Sequence, residues 1–473
     1  MGCFKAYDIR GVFPQEINGD IAYKVGRAYA ICFSPKTVAV GYDARLTSPE
    51  LKDNLIAGLT SWGVNVFDIG MCGTEQVYFT TFYKQLDGGL MVTASHNPIE
   101  YNGIKMVGKD ARPIGSHNGL KDIENLVYGN AVSFLNMLKP TGSVSQIDTI
   151  DDYIDYLLKH FVDPSYMRPL KVLCNAGNGT AGLVLNKLEK KLPMIEMIKI
   201  FNEPDGTFPN GVPNPLLEAN RGITSGYVKK EDVDFGVAWD GDFDRCFFFD
   251  SKGRFVESYY VISRLIKHIA QQWWPYPIRV VHDTRSFFNT ADTIKQMGGV
   301  ALSSRSGHSF IKDTMRQYKG TFGGEISGHY YFSYFACCDS GIIPFLMMLN
   351  ILSQHRQNSN YAKFEDLFVQ DKQKYFISGE INMTVKDSNR IISELYNHYN
   401  NLSKNSRGTY YSDHIDGLRI EHEDDDIRWA FNARASNTEP LLRLCVESNK
   451  SNKILESKIK EIVSLINKFD LSL

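Results

Sequence analysis

Nothing in this 473-residue chain favours a membrane, a nucleic acid or a disulfide framework. No apolar run reaches the roughly 18 residues that a bilayer span needs. The opening Met1-Gly2-Cys3-Phe4-Lys5-Ala6-Tyr7-Asp8 lacks the apolar core of a secretory signal, and Gly2 is not followed by the Ser or Thr that myristoylation wants. Positive and negative side chains nearly cancel, 52 against 54, so there is no basic field to attract nucleic acid. The eight cysteines are scattered, with no C-x-x-C and no histidine spacing suited to zinc. Adjacent Cys337 and Cys338 read as buried small apolar packing. These absences leave a cytoplasmic globular protein, and its length predicts roughly three to four domains.

The informative stretches are short and lie at strand ends. Leu90-Met91-Val92 is an apolar strand that breaks into Thr93-Ala94-Ser95-His96-Asn97-Pro98, which places a serine on a loop at the sheet edge. Strand 37–43, a helix opening at Ser48-Pro49-Glu50 with Ser48 as its N-cap, and strand 64–70 precede it. Such alternation predicts a mostly parallel sheet with ligands outside its carboxyl ends. Residues 130–150 read as a connector. Strand 171–176 then leads into Gly177-Asn178-Gly179-Thr180-Ala181-Gly182, a literal G-x-G-x-x-G. The next strand ends without an acidic residue at the ribose-binding distance, so the glycines read as a tight structural turn, not a dinucleotide site.

Strand 234–239 delivers Asp240-Gly241-Asp242-Phe243-Asp244-Arg245, with another apolar strand following at once. Three carboxylates at i, i+2 and i+4 between two buried strands call for a hard divalent cation with oxygen ligands. Arg245 and Ser251 stand where an EF-hand would need Gly and Glu. Further on, Thr284-Arg285 follows strand 278–283, and Arg305-Ser306-Gly307-His308 precedes a helix. In Gly324-Glu325-Ile326-Ser327-Gly328-His329, glycines bracket side chains suited to a hydroxyl-rich ligand. From residue 369 the pattern becomes α+β, and the acidic run 421–426 reads as a solvated turn. Strand 429–433 leads into Arg434-Ala435-Ser436-Asn437-Thr438-Glu439-Pro440, whose donors suit phosphate oxygens.

Taken in order, Ala6-Tyr7-Asp8-Ile9-Arg10-Gly11, Thr93–Pro98, Asp240–Arg245, Gly324–His329 and Arg434–Pro440 resemble the alpha-D-phosphohexomutase family over nearly the whole chain. Within it, Tyr101-Asn102-Gly103-Ile104-Lys105 and His282-Asp283-Thr284-Arg285 look most like the bacterial phosphomannomutase branch that supplies GDP-mannose. The resemblance implies an α/β fold of three related α/β domains, 1–145, 146–250 and 251–368, plus a C-terminal α+β domain, 369–473, around a central active-site cleft. It implies a phosphoserine at Ser95 and one Mg²⁺ held by Ser95, Asp240, Asp242 and Asp244. Arg10, Lys105, Arg245 and His329 would form the catalytic centre, with Lys105 or His329 as proton acceptor. Tyr7, Arg285, His308, Glu325, Ser327, Arg434, Ser436, Asn437 and Thr438 would contact the sugar phosphate.

The implied reaction interconverts hexose 1- and 6-phosphates through a hexose 1,6-bisphosphate. The enzyme would be a monomer or weak homo-oligomer. Ile326 replaces the Met or Gln common in relatives and favours mannose or glucose over glucosamine. Rival readings are a glucose-preferring or dual-specificity mutase, a Mg²⁺-dependent phosphatase and a non-catalytic sugar-phosphate sensor.

Overall fold

The computed structural model describes residues 2–129, 141–273, 276–285, 287–404, 407–436 and 441–471. They form two compact units, Met1–Val256 with Ser327–Phe364, and Glu257–Ile326 with Glu365–Leu473. Among the described residues, no helix is long and apolar enough to cross a membrane.

The first unit opens with a six-stranded sheet in the order β1-β5-β4-β2-β3-β6. Its strands are β1 (Ile9–Val12), β2 (Thr37–Tyr42), β3 (Asn65–Met71), β4 (Gly88–Val92), β5 (Tyr101–Gly108) and β6 (Val144–Gln146). β2 pairs in parallel with β3 and β4, while β5 runs antiparallel between β4 and β1. Every residue of β4 is buried, as expected of a strand covered on both faces. β4 is an interior strand, so the serine loop leaves the sheet's carboxyl end instead of lying at its edge.

Two expectations change here. Residues 144–146 of the supposed connector form β6, recruited in parallel beside β3. Ser48 is not the cap but the first residue of helix Ser48–Thr60; the cap is Thr47. The Ser48 hydroxyl donates instead to Asp43 Oδ1 at 2.6 Å, a buried carboxylate that competes successfully for it.

A second sheet, β11-β10-β9-β7-β8, is built from β7 (Leu170–Asn175), β8 (Ile195–Ile200), β9 (Phe235–Trp239), β10 (Cys246–Phe249) and β11 (Phe255–Val256). β7 is parallel to β8 and β9, and β9-β10-β11 is an antiparallel meander. The first unit also holds the antiparallel pair β15 (Tyr330–Phe332) and β16 (Cys338–Asp339). In the second unit, β12 (Arg279–Asp283) is flanked in parallel by β13 (Val300–Ser304) and β14 (Phe322–Gly324). Its other sheet, from β17 (Tyr375–Thr384), β18 (Thr409–Asp413), β19 (Leu418–Asp424), β20 (Ile427–Ala435) and β21 (Leu441–Asn449), is antiparallel throughout. Helices Ser388–Ser403 and Asn452–Leu471 close its apolar face over Phe431, Leu442 and Leu444. The acidic run 421–426 is mostly strand: Glu421–Asp424 pair with β20, and only the tip forms the turn. Alternation in a hairpin turns successive carboxylates to opposite faces, so such a run is compatible with a strand.

Glu75 is a buried carboxyl within the first unit. It receives hydrogen bonds from Ser340 Oγ, from Gly341 N at 3.2 Å and from Ile342 N at 3.3 Å, at the start of helix Ile342–Asn358. Burial raises its pKa to about 8, even though Ser340, Tyr153 and the two amides pull the other way. Between the ordinary carboxyl value and about 8, the folded chain therefore holds a proton that the unfolded chain has released. This group's contribution to stability is greatest at low pH and declines as pH rises through that window. Thermal melts should show a shallower decline from pH 5 to 8 in Glu75→Gln than in the parent. An unchanged slope would mean that Glu75 is already ionised.

Candidate active site

Ser95 sits just beyond β4, 1% exposed, at φ +48°. For a residue with a Cβ that conformation costs on the order of 1 kcal/mol or more, so the surroundings must enforce it. They do so through Arg45. Its Nη1 donates to the carbonyls of Pro98 and Tyr101, both at 2.8 Å, and its Nη2 to those of Ser95 and Asn97 at 2.9 and 2.6 Å. Asp43 anchors the other side, accepting from Thr93 Oγ at 2.7 Å, while Thr93 Oγ takes the Ser95 amide at 2.8 Å. One guanidinium thus organises the whole serine loop. The sequence reading missed Arg45; its only local signal was an Asp-Ala-Arg after β2.

The aspartate loop between β9 and β10 lies against this serine. Ser95 Oγ donates to Asp240 Oδ2 at 2.7 Å and lies 2.9 Å from His96 Nδ1. A hydroxyl has one proton, so with Asp240 accepting it, His96 presents Nδ1–H. Burial, followed by Arg245 and Arg10, holds His96 well below its usual pKa and keeps it neutral. The closeness of the two loops depends on small residues. A Cβ on Gly241 would lie 2.7 Å from the Ser95 carbonyl oxygen, and one on Gly179 would lie 2.7 Å from the Gly241 oxygen. Thr180 N also donates to that oxygen at 3.1 Å. The G-x-G-x-x-G turn is therefore a buttress beneath the aspartate loop, where its glycines allow backbones to touch.

Asp240, Asp242 and Asp244 are all buried, each offering an oxygen within 4.8 Å of the others. Burial and the two neighbouring carboxylates push Asp240 well above its ordinary pKa. Asp244 goes the other way: burial opposes its charge, but Lys105, His329 and Arg245 hold it below the carboxylate range. Lys105 Nζ, on β5, bonds both Asp242 (2.6 Å) and Asp244. Thr74, at the start of helix Thr74–Tyr83, donates its hydroxyl to Asp242 Oδ2 and its amide to the Asp242 carbonyl at 3.1 Å. Asp242 Oδ1 and Asp244 Oδ1 are buried and accept no hydrogen bond among the described residues. Orphaned oxygens within a cluster of three buried carboxylates fit a divalent cation.

Cationic and imidazole groups complete this cluster. Arg10 Nε donates to Asp8 at 2.8 Å, and its Nη1 reaches Asn97 Oδ1 at 2.5 Å in the serine loop. Burial opposes its charge, but Asp8, Asp242 and Asp244 prevail and raise its pKa. Arg245 Nε donates to His329 Nε2 at 3.0 Å, which places that ring's proton on Nδ1, 3.1 Å from Ser327 Oγ. The backbones of Arg245 and His329 form an antiparallel bridge, which brings the chain after Ser327 beside the aspartates. Tyr7 is half-buried in the segment leading to β1.

In the second unit, Arg285 follows β12 and is caged by carboxylates. Its guanidinium lies 2.6 Å from Asp283, 3.1 Å from Glu380 and 3.6 Å from Glu325. Glu325 Oε1 accepts the Gly307 amide at 2.9 Å, beside His308 at the head of helix His308–Tyr318. Arg434, near the end of β20, lies directly across from Arg443 on β21. Ser436 is half-buried, and its amide donates to the Leu441 carbonyl at 2.8 Å. Asn437 and Thr438 lie outside the described residues. Arg443 and Glu380 escaped the sequence reading, since each looks like an ordinary polar residue in a strand.

Comparison with known proteins bears on the whole chain. Models of the phosphoglucomutase/phosphomannomutase alpha/beta/alpha domains I, II and III match residues 1–131, 151–253 and 257–368, and that of the C-terminal domain matches 380–464. A phosphomannomutase of Vibrio cholerae is 42% identical over 479 residues, covering 99% of both chains. Phosphohexose mutases of Xanthomonas campestris pv. campestris are 44% identical over 464 residues, covering 98% of both. The crystal structure of a phosphoglucomutase/phosphomannomutase family protein from Burkholderia thailandensis superposes with a TM-score of 0.84 at 28% identity, covering 99% of this chain and 97% of that one. With four domain models in series and full-length relatives above 40% identity, this chain belongs to the phosphoglucomutase/phosphomannomutase family.

Proposed function

We propose that the chain is a phosphomannomutase, interconverting mannose 1-phosphate and mannose 6-phosphate through phospho-Ser95 and a hexose 1,6-bisphosphate. The observation that carries this is Ser95 Oγ bonded to Asp240 beside two further buried carboxylates. A nucleophile set among carboxylates that need a cation is the arrangement that phosphoryl transfer uses. Asp240, Asp242, Asp244 and a phosphoserine oxygen would hold Mg²⁺, which supplies charge neutralisation and polarisation of the phosphoryl group. Arg10 steadies the serine loop through Asn97, and Arg245, beside Asp240 and His329, would face the phosphate carried on Ser95. Lys105 and His329 are the candidates to take the proton of the attacking sugar hydroxyl.

Glu325 and Ser327 are read as binding sugar hydroxyls. Tyr7, Arg285, His308, Arg434, Ser436, Asn437 and Thr438 are read as contacting the sugar and its non-reacting phosphate, with Arg443 added on its position opposite Arg434. The domains would divide at 145/146, 250/251 and 368/369. The enzyme would act in the cytoplasm, as a monomer or weak homo-oligomer, in GDP-mannose supply. A second reading, activity on glucose phosphates as well, is favoured by the 44% identity to proteins named phosphohexose mutases.

A phosphorus NMR time course tests both. Mannose 1-phosphate and glucose 1-phosphate are offered separately with Mg²⁺ and a trace of glucose 1,6-bisphosphate. Mannose 6-phosphate forming faster than glucose 6-phosphate is the expected result. Comparable rates would establish dual specificity, and release of free phosphate alone would overturn the mutase reading in favour of a phosphatase.

A further inference from the structure

We propose that Glu380 is a resident anion of the phosphate clamp, occupying its arginines until a substrate phosphate displaces it. The inference rests on the reading of Arg434 and its neighbours as that clamp.

Arg434 and Arg443 are directly opposed on β20 and β21. Like charges in register across an antiparallel pair repel, so the arrangement calls for an anion between them. Glu380 supplies it, with Oε2 3.3 Å from Arg434 Nη2 and 3.1 Å from Arg285 Nη1, and Oε1 3.4 Å from Arg443 Nη1. Burial works against the Glu380 charge, yet the three arginines hold its pKa below the ordinary range.

A deliberate backbone device aims this carboxylate. β17 and β21 are in regular register from Tyr375 to Ile377 and again from Glu380 to Thr384. Between them Ser378 and Gly379 face the single residue Val446, which is a β-bulge. Gly379 adopts φ +71°, where a Cβ would be strained. Ser378 Oγ takes the ladder amide of Val446 at 2.9 Å, so the bulge leaves that donor satisfied. Because side chains alternate along a strand, the extra residue decides which face Glu380 occupies. It places Glu380 two residues from Asn382, the partner of Arg443, and on the arginine face.

The carboxylate does not saturate the arginines. Nε of Arg285, Arg434 and Arg443 is buried in each case with no acceptor among the described residues. A phosphate dianion brings more acceptor oxygens and a second charge, so it can displace one carboxylate from the fork. Displacement keeps phosphate affinity modest, which suits a clamp that must release each end of a sugar bisphosphate in turn.

Calorimetric titration with inorganic phosphate tests this. Glu380→Gln, nearly isosteric but uncharged, should bind phosphate at least about tenfold more tightly than the parent, with KM for the sugar phosphate and kcat both lowered. Glu380→Asp, whose carboxylate stops one methylene short, should tighten binding to an intermediate degree. Equal or weaker binding in both variants would overturn the proposal and leave Glu380 as a residue that merely positions the arginines. Arg434→Ala separates the two levels. If it leaves phosphate binding intact, the clamp reading itself fails; if it abolishes binding while Glu380→Gln changes nothing, only the displacement proposal fails.

Discussion

Ser95→Ala should lower conversion of mannose 1-phosphate by at least about 10⁴-fold, the scale on which removal of a nucleophile acts. On the proposed mechanism Oγ is the atom that carries the phosphoryl group between the two positions of the sugar, and alanine lacks it. Binding residues cannot compensate for a missing bond partner. Stability should change far less. Alanine loses the hydrogen bonds to Asp240 and His96, for which about 1 kcal/mol each is typical, and retains the loop that Arg45 holds by main-chain carbonyls. Intact mass then distinguishes the readings: the parent should carry a fraction with one added phosphate, and the variant none. A variant that melts within a few degrees of the parent and still isomerises the sugar phosphate would exclude Ser95 as the carrier.

The groups proposed to do the chemistry were legible in the sequence because they are contiguous. Asp240, Asp242 and Asp244 occupy one loop between two apolar strands, so spacing alone placed three carboxylates where burial is costly, and the structure brings their oxygens within 4.8 Å. Ser95 was visible for the same reason, as an abrupt change from β4 to small polar residues. What supports these groups was not visible. Arg45 meets the serine loop some fifty residues further on, and Thr74 meets Asp242 across 168 residues. Neither contact has a local pattern, since an arginine after a strand or a threonine at a helix start is common in any soluble protein. Glu380 was hidden differently. Strict alternation along β17 would be the default, and a single extra residue reverses it beyond the bulge. Ser378-Gly379 was the available hint, because a glycine inside a strand pattern often marks a bulge. The glycines at 177–182 show the converse case, where a familiar motif has a structural cause: Gly179 lets the turn touch Gly241.

Arg45→Met should be the most damaging substitution away from the reacting atoms, costing about 3–5 kcal/mol of stability and most of the activity. Methionine fills the apolar length of the side chain but donates nothing. Four carbonyls, of Ser95, Asn97, Pro98 and Tyr101, then lose the guanidinium together, with Pro98 keeping the Tyr101 amide. Only the Ser95 contact is fully buried, where an unsatisfied acceptor costs roughly 1–3 kcal/mol; the other three lie where water can reach them. Asp43, 2% exposed, would also lose the guanidinium 3.5 Å away, and stranding one partner of a buried ion pair is destabilising by about 3–5 kcal/mol. The loss of activity has a separate cause. Ser95 is held at φ +48°, and without the clamp the loop can relax toward ordinary backbone and carry Oγ away from Asp240. Arg45→Lys is the informative control. An ammonium keeps the charge near Asp43 but cannot span four carbonyls as a planar fork does. It should recover part of the thermal stability while kcat stays at least about tenfold below the parent. Full recovery of kcat by lysine would show that charge alone suffices and that the loop is held by its other contacts.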